Sequence, residues 1–168
     1  MRRPYAWSLR GERACRYEFS VRGTKYSILP ALSLDGIIHI EVVDKAITGD
    51  DFRRFIQGLL PQMNEWPLPN SVLVIDNASI HKVEGIREMV EERGARLLYL
   101  PSYSPDFNPI ELAFSTIKAW LRANRARVNQ ELELDEDGIY KLFWDAVHSV
   151  SVEDAKGWYT HCGYDVPA

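Results

Sequence analysis

Hydrophobic residues along the 168-residue chain switch several times between a period of two and a period near 3.6. Residues 24–33 and 37–43 are rich in β-formers, and Asp35-Gly36 between them is a hairpin signal. Residues 49–60 place Phe52, Phe55, Ile56, Leu59 and Leu60 on one face of a helix. Pro61, Pro67, Pro69 and Asn70 then interrupt the pattern as a loop. The unbroken apolar run 71–75 (SVLVI) predicts a strand buried on both faces, ending at Asp76. Residues 81–93 predict a helix with Val83, Ile86 and Val90 inward and Gly94 as its stop. Residues 95–100 (ARLLYL) predict a second buried strand. A loop rich in proline leads to a helix starting near Pro109, with Ile110, Ala113, Phe114, Ile117, Trp120 and Leu121 inward. Residues 139–150 and 152–160 predict two more helices. A hairpin followed by βα units implies an α/β fold with a mixed sheet flanked by helices. The whole chain is expected to be one domain, with a helical C-terminal part over about 138–162.

Composition adds little to that outline and charge adds more. The net charge is −4, whereas a self-sufficient DNA-recognition module is usually basic. A catalytic domain built on carboxylates is compatible with the same balance. Residues 1–25 carry Arg2, Arg3, Arg10, Arg13, Arg16, Arg22 and Lys25 against Glu12 and Glu18, while residues 131–137 are acidic. Any nucleic-acid face is therefore expected toward the front of the chain. No apolar run approaches the roughly 20 residues of a membrane span. Cys15 and Cys162 stand far apart and read as free thiols of an intracellular protein. Together with His81 and His161 they lack the paired spacing of a zinc site.

Two acids stand out. Asp76 lies at the carboxyl end of a predicted central strand, where ligands of open α/β sheets bind. A turn or cap role would also suit it. Glu111 falls three residues after Asn108 with Pro109 between, close to a capping box. If both acids converge, their repulsion calls for a cation, and oxygen ligands suit magnesium or manganese. Such ions serve phosphoryl transfer. Ser115, Lys118, Arg122 and Arg125 fall near the angular position of Glu111, a ridge that could follow a phosphate backbone or simply face solvent.

The stretches 74–82 (VIDNASIHK) and 98–111 (LYLPSYSPDFNPIE) resemble the catalytic core of DDE-type transposases, most of all the mariner-like group and related insertion-sequence enzymes. Asp76 and Glu111 have 34 residues between them, a spacing that group uses. Residues 5–11 (YAWSLRG) and Cys162-Gly163-Tyr164 extend the resemblance toward both ends. It implies an RNase H-like fold, magnesium- or manganese-dependent DNA strand cleavage and transfer, and transposon ends and target DNA as partners. It also implies Asp76 as the second acid and Glu111 as the third, structural roles for His81, Asn108 and Pro109, and paired copies acting as a homodimer. The family's first acid precedes the segment matched by residues 5–11, and Glu12 is the first acid here. The expectation is a core lacking its first acidic strand, N-terminally truncated and with little or no cleavage activity of its own. A non-catalytic RNase H-like module binding DNA or a protein is the alternative.

Overall fold

The computed structural model describes residue 11, residues 26–134 and residues 136–166. The basic segment 1–25, with the 5–11 match and Cys15, lies otherwise outside the described residues. The first strands form as the alternation predicts. β1 (Ser27–Ser33) and β2 (Gly36–Val43) pair antiparallel through a turn at Gly36, whose φ of +97° suits glycine. A register shift at Ala31/Leu32 marks a bulge.

Helix α1 (Gly49–Leu59) begins with a reciprocal cap between Thr48 and Asp51. The Thr48 hydroxyl accepts from the Asp51 N–H, and Asp51 Oδ2 accepts from the Thr48 N–H at 3.0 Å and its hydroxyl at 2.6 Å. Lys45 Nζ and Arg54 approach the other carboxylate oxygen at 3.1 and 2.9 Å. The hydroxyl bond from Thr48, then its backbone N–H and Lys45, hold this buried carboxyl well below the usual carboxylate range. Because the folded value is depressed, its contribution is full above the unfolded value of about 3.9 and fades as pH falls from there toward the folded value. Acid titration of thermal stability is expected to show that loss, and Asp51→Asn is expected to flatten it. An unchanged acid profile in the variant would refute the assignment.

α1 covers one face of the sheet. Phe52, Phe55, Ile56 and Leu59 join Ile75, Ile86, Val90, Ala95 and Leu97 in one buried cluster. Leu29, Ala31 and Ile38 of the hairpin pack on the same cluster. At roughly 1.5–3 kcal/mol per fully buried large apolar side chain, this cluster is the main stabilising unit. Ile28, Leu32, Ile37 and Ile40 point to the opposite face, onto Ala113, Ile117, Ala146 and Val147 of the later helices.

β3 (Val72–Ile75) and β4 (Arg96–Tyr99) pair in parallel. Antiparallel and parallel ladders thus lie over one core, as a mixed fold requires, but as two two-stranded sheets. Asn70 Nδ2 donates to Asp35 Oδ2 at 3.3 Å, placing the hairpin turn beside the entry to β3. The expectation that strands 71–75 and 95–100 are buried on both faces is corrected. Val72, Leu73 and Val74 are half-buried, and β4 alternates, with Ala95 and Leu97 buried but Arg96 and Leu98 exposed. β4 has a bare outer face, where the Arg96 guanidinium lies over the Trp66 ring, 4.2 Å from its centroid.

Three helical boundaries also differ from the pattern. α2 spans Ile86–Glu92 rather than 81–93, because Gly85 adopts a left-handed φ of +84° and residues 79–81 form a separate 3-10 turn. α3 (Ile110–Ala123) stops at Asn124, so Arg125 opens a further helix, α4 (Arg125–Leu134), and leaves the α3 ridge. α5 (Glu136–Val147) begins and ends about a turn earlier than predicted, and α6 (Val152–His161) matches its expected span closely.

Candidate metal centre

Asp76 follows β3 directly, so the ladder fixes where it emerges. The Leu100 N–H donates to the Ile75 carbonyl at 2.8 Å, aligning the exits of β3 and β4. Asp76 and the loop 101–109 therefore start side by side. Asp76 Oδ1 accepts from the Ala78 N–H at 2.9 Å, the turn role that its position allowed. His81 Nδ1 lies 2.7 Å from the same oxygen, a short contact too poorly aligned to count as a hydrogen bond. The His81 ring packs on Phe52 with centroids 4.4 Å apart, and its carbonyl accepts from the Tyr99 hydroxyl at 3.1 Å. His81 is thus held by core and sheet beside Asp76. The Asp76 side chain stays 47% exposed, and among the described residues Oδ2 takes no hydrogen bond.

Glu111 sits in the first turn of α3. The capping-box reading fails: the start of α3 has no side-chain cap hydrogen bond. Asn108 is extended, and its carbonyl, not its side chain, accepts from the Glu111 N–H at 3.2 Å. The expected capping role of Asn108 is corrected accordingly. Pro109 is buried with helical dihedrals and does open the helix. Released from any capping bond, the exposed Glu111 carboxylate has no hydrogen-bond or ion-pair partner among the described residues.

Asp76 and Glu111 line one open cleft of about 390 Å³, with Asn77, Ser102, Tyr103, Ser104 and Asn108 among its other walls. Asn77 Nδ2 donates to Ser102 Oγ at 2.7 Å and ties the loop to the strand exit. At the loop's far end the Tyr164 hydroxyl donates to the Phe107 carbonyl at 2.8 Å. The C-terminal Cys162-Gly163-Tyr164 motif thus reaches the site through a contact that no local pattern signals. A neighbouring groove of about 440 Å³ is lined by Lys82, Arg87, Glu84 and Glu88 among others. It includes neither Asp76 nor Glu111.

The donors suit a hard divalent cation. Magnesium is commonly held by one or two protein carboxylates with water and substrate phosphate completing the shell. Here one free oxygen of Asp76 and the unpaired Glu111 carboxylate would supply those bonds, and a bound ion would contribute Lewis-acid polarisation of a phosphoryl oxygen. No cluster of three or more His, Cys, Asp or Glu forms among the described residues. Ser115, Lys118 and Arg122 are exposed on the same solvent face of α3 as Glu111. Lys118 Nζ lies 5.7 Å from the Phe114 ring centroid.

With this geometry in place, comparison with known proteins is informative. A sequence profile described as DDE superfamily endonuclease matches residues 1–133. A solved Mos1 transposase paired-end complex with left transposon end is 16% identical at a TM-score of 0.55, covering 97% of this chain and 52% of that one. The Mos1 Strand Transfer Complex gives 16% identity and a TM-score of 0.56, covering 99% and 52%. The mariner Mos1 paired end complex with Mg gives 16% and 0.54, covering 98% and 52%. At such identity these likenesses establish the RNase H-like fold, and the chain spans about half the length of the Mos1 chains it matches. No curated protein matches the chain. Since the profile match runs through both acids and the loop between them, the chain belongs to the DDE superfamily endonuclease family.

Proposed function

We propose that Asp76 and Glu111 form part of a magnesium- or manganese-dependent centre for DNA strand cleavage and transfer, within a single RNase H-like core spanning residues 1–168. One observation carries this reading. Two acids with 34 residues between them line one cleft, and Glu111 has no structural partner to account for it. Solved Mos1 complexes are described with Mg and with Mn, which agrees with the donor chemistry. DNA, in the form of transposon ends and target, is the proposed substrate. Lys118 and Arg122 would contribute weak phosphate contacts along α3. Paired copies acting on two DNA ends are proposed by analogy with those complexes.

Turnover by this chain is expected to be slow, because no third acid joins Asp76 and Glu111 among the described residues to fix the position of a metal ion. The test is a magnesium and manganese titration followed by calorimetry and thermal midpoint, alongside a DNA nicking assay. Glu111→Gln is expected to weaken metal binding on the order of tenfold or more. Its stability without metal should be unchanged, since the carboxylate makes no bond that holds the fold. Metal binding indifferent to Glu111→Gln would overturn the site. Robust nicking by the chain would overturn the expectation of slow turnover. A non-catalytic module binding DNA or a protein is the second reading, favoured by the lack of any group of three metal-ligating side chains among the described residues.

A further inference from the structure

The cleft contains a side chain that neither metal binding nor folding uses. Tyr103 is fully exposed, with a relative accessibility of 103%, and makes no ring or hydrogen-bond contact among the described residues. An isolated aromatic ring standing wholly in water gains nothing from burial, although aromatics usually supply that benefit. Its backbone is also unfavourable, with a φ of +58° in the left-handed region that glycine or asparagine adopts more readily. Such a residue costs stability twice, through strain and through an exposed apolar ring. That combination at the mouth of a candidate site is a signature of function.

The surroundings restrict the backbone that carries the ring. Pro101 and Pro105 restrict the backbone on either side. Ser102 is tied to Asn77 at 2.7 Å, and the Ser104 hydroxyl donates to the Ser102 carbonyl at 3.4 Å. Tyr103 lines the same cleft as Asp76 and Glu111. Both faces of the ring are open, as stacking requires.

Resting on the DNA reading above, we propose that Tyr103 is a positioning residue that stacks on an unpaired nucleobase next to the phosphate that a cation held by Asp76 and Glu111 would bind. A strand end or nicked strand brought to an open cleft presents at least one base that has lost a stacking neighbour beside its phosphate. An exposed aromatic ring offers that base a replacement partner, whatever its sequence. Preorganisation by the two prolines and the Ser102 bonds lowers the ordering cost of such a contact. The platform thus selects strand geometry rather than base identity.

The test uses the full chain with a short single-stranded oligonucleotide carrying one 2-aminopurine, in calcium to limit cleavage. Stacking on Tyr103 quenches or shifts the 2-aminopurine emission, and anisotropy reports affinity. Tyr103→Ala is expected to lose the spectral change and to weaken binding roughly 5- to 100-fold. Tyr103→Phe and Tyr103→Trp should retain both. Tyr103→Gly should lose binding in the same way, with a thermal midpoint equal to or above that of the unaltered protein, because the strain is relieved. Full binding and an unchanged spectral response in Tyr103→Ala would overturn the stacking role. Failure of the unaltered protein to bind any DNA would overturn the DNA reading of the site, and the stacking with it.

Discussion

Replacing Asp76 by asparagine is expected to lower magnesium and manganese affinity at least about 100-fold, or roughly 2.7 kcal/mol, while the protein stays folded. The asymmetry follows from what each oxygen does. Oδ1 accepts from the Ala78 N–H, and an amide oxygen in the same place can accept that bond. The loop after β3 therefore keeps its turn. The lost charge falls on the side facing the cleft, where Glu111 is the other carboxylate. A cation between two acids is stabilised by both, so removing one formal charge costs more than removing a neutral ligand. Calorimetry with manganese and a metal-dependent shift in thermal midpoint read the effect directly. Metal binding by Asp76→Asn equal to the unaltered chain would move the site elsewhere. A fall in stability without metal comparable to that of a core variant would return Asp76 to a structural role.

A second substitution, Phe52→Ala, is expected to damage both the core and the site. Phe52 is 2% exposed and packs among Phe55, Ile56 and Ile86. Truncating a buried phenylalanine costs about 3–5 kcal/mol, or a drop in midpoint of roughly 6–20 °C for a domain of this size. The same ring backs His81 at 4.4 Å, and His81 lies 2.7 Å from Asp76 Oδ1. Loss of that support should also cut metal affinity, within the roughly 10- to 100-fold range usual for residues behind a metal ligand. Phe52→Leu separates the two effects. It restores much of the apolar volume but not the ring contact, so stability should recover further than metal affinity. Equal recovery of both would show that His81 does not depend on Phe52.

How far the sequence announced these features depended on the range of the interactions involved. α1 was legible because its apolar stripe is local. The position of Asp76 was legible because a short apolar run ending in an acid is a local pattern. The outer face of β4 was not. Residues 95–100 read as a buried strand, and only the tertiary arrangement reveals that Leu98 faces solvent while Arg96 lies over Trp66. α4 escaped notice because Arg125–Leu134 carries no clear apolar stripe, so the periodicity that reveals helices is missing. The start of α2 was misplaced because Gly85 interrupts a pattern that otherwise continues. Glu111 had two defensible local explanations. The dihedrals of Asn108 and the absence of a side-chain cap at the start of α3 speak against the capping one. The Asn77–Ser102 and Tyr164–Phe107 bonds join segments 25 and 57 residues apart, beyond the reach of any local pattern.

The Tyr164 hydroxyl acts as a latch on the loop that precedes Glu111. Tyr164 also meets Tyr159 edge-on, and the Tyr159 hydroxyl donates to the Leu32 carbonyl of the hairpin at 2.8 Å. The end of α6 and the segment after it therefore form a strut from the sheet to the rim of the cleft. A protease that trims it should leave the core intact yet slacken the loop. Purified material could then look well folded while its cleft had lost its shape. An affinity tag appended a few residues beyond Tyr164 would load that same strut.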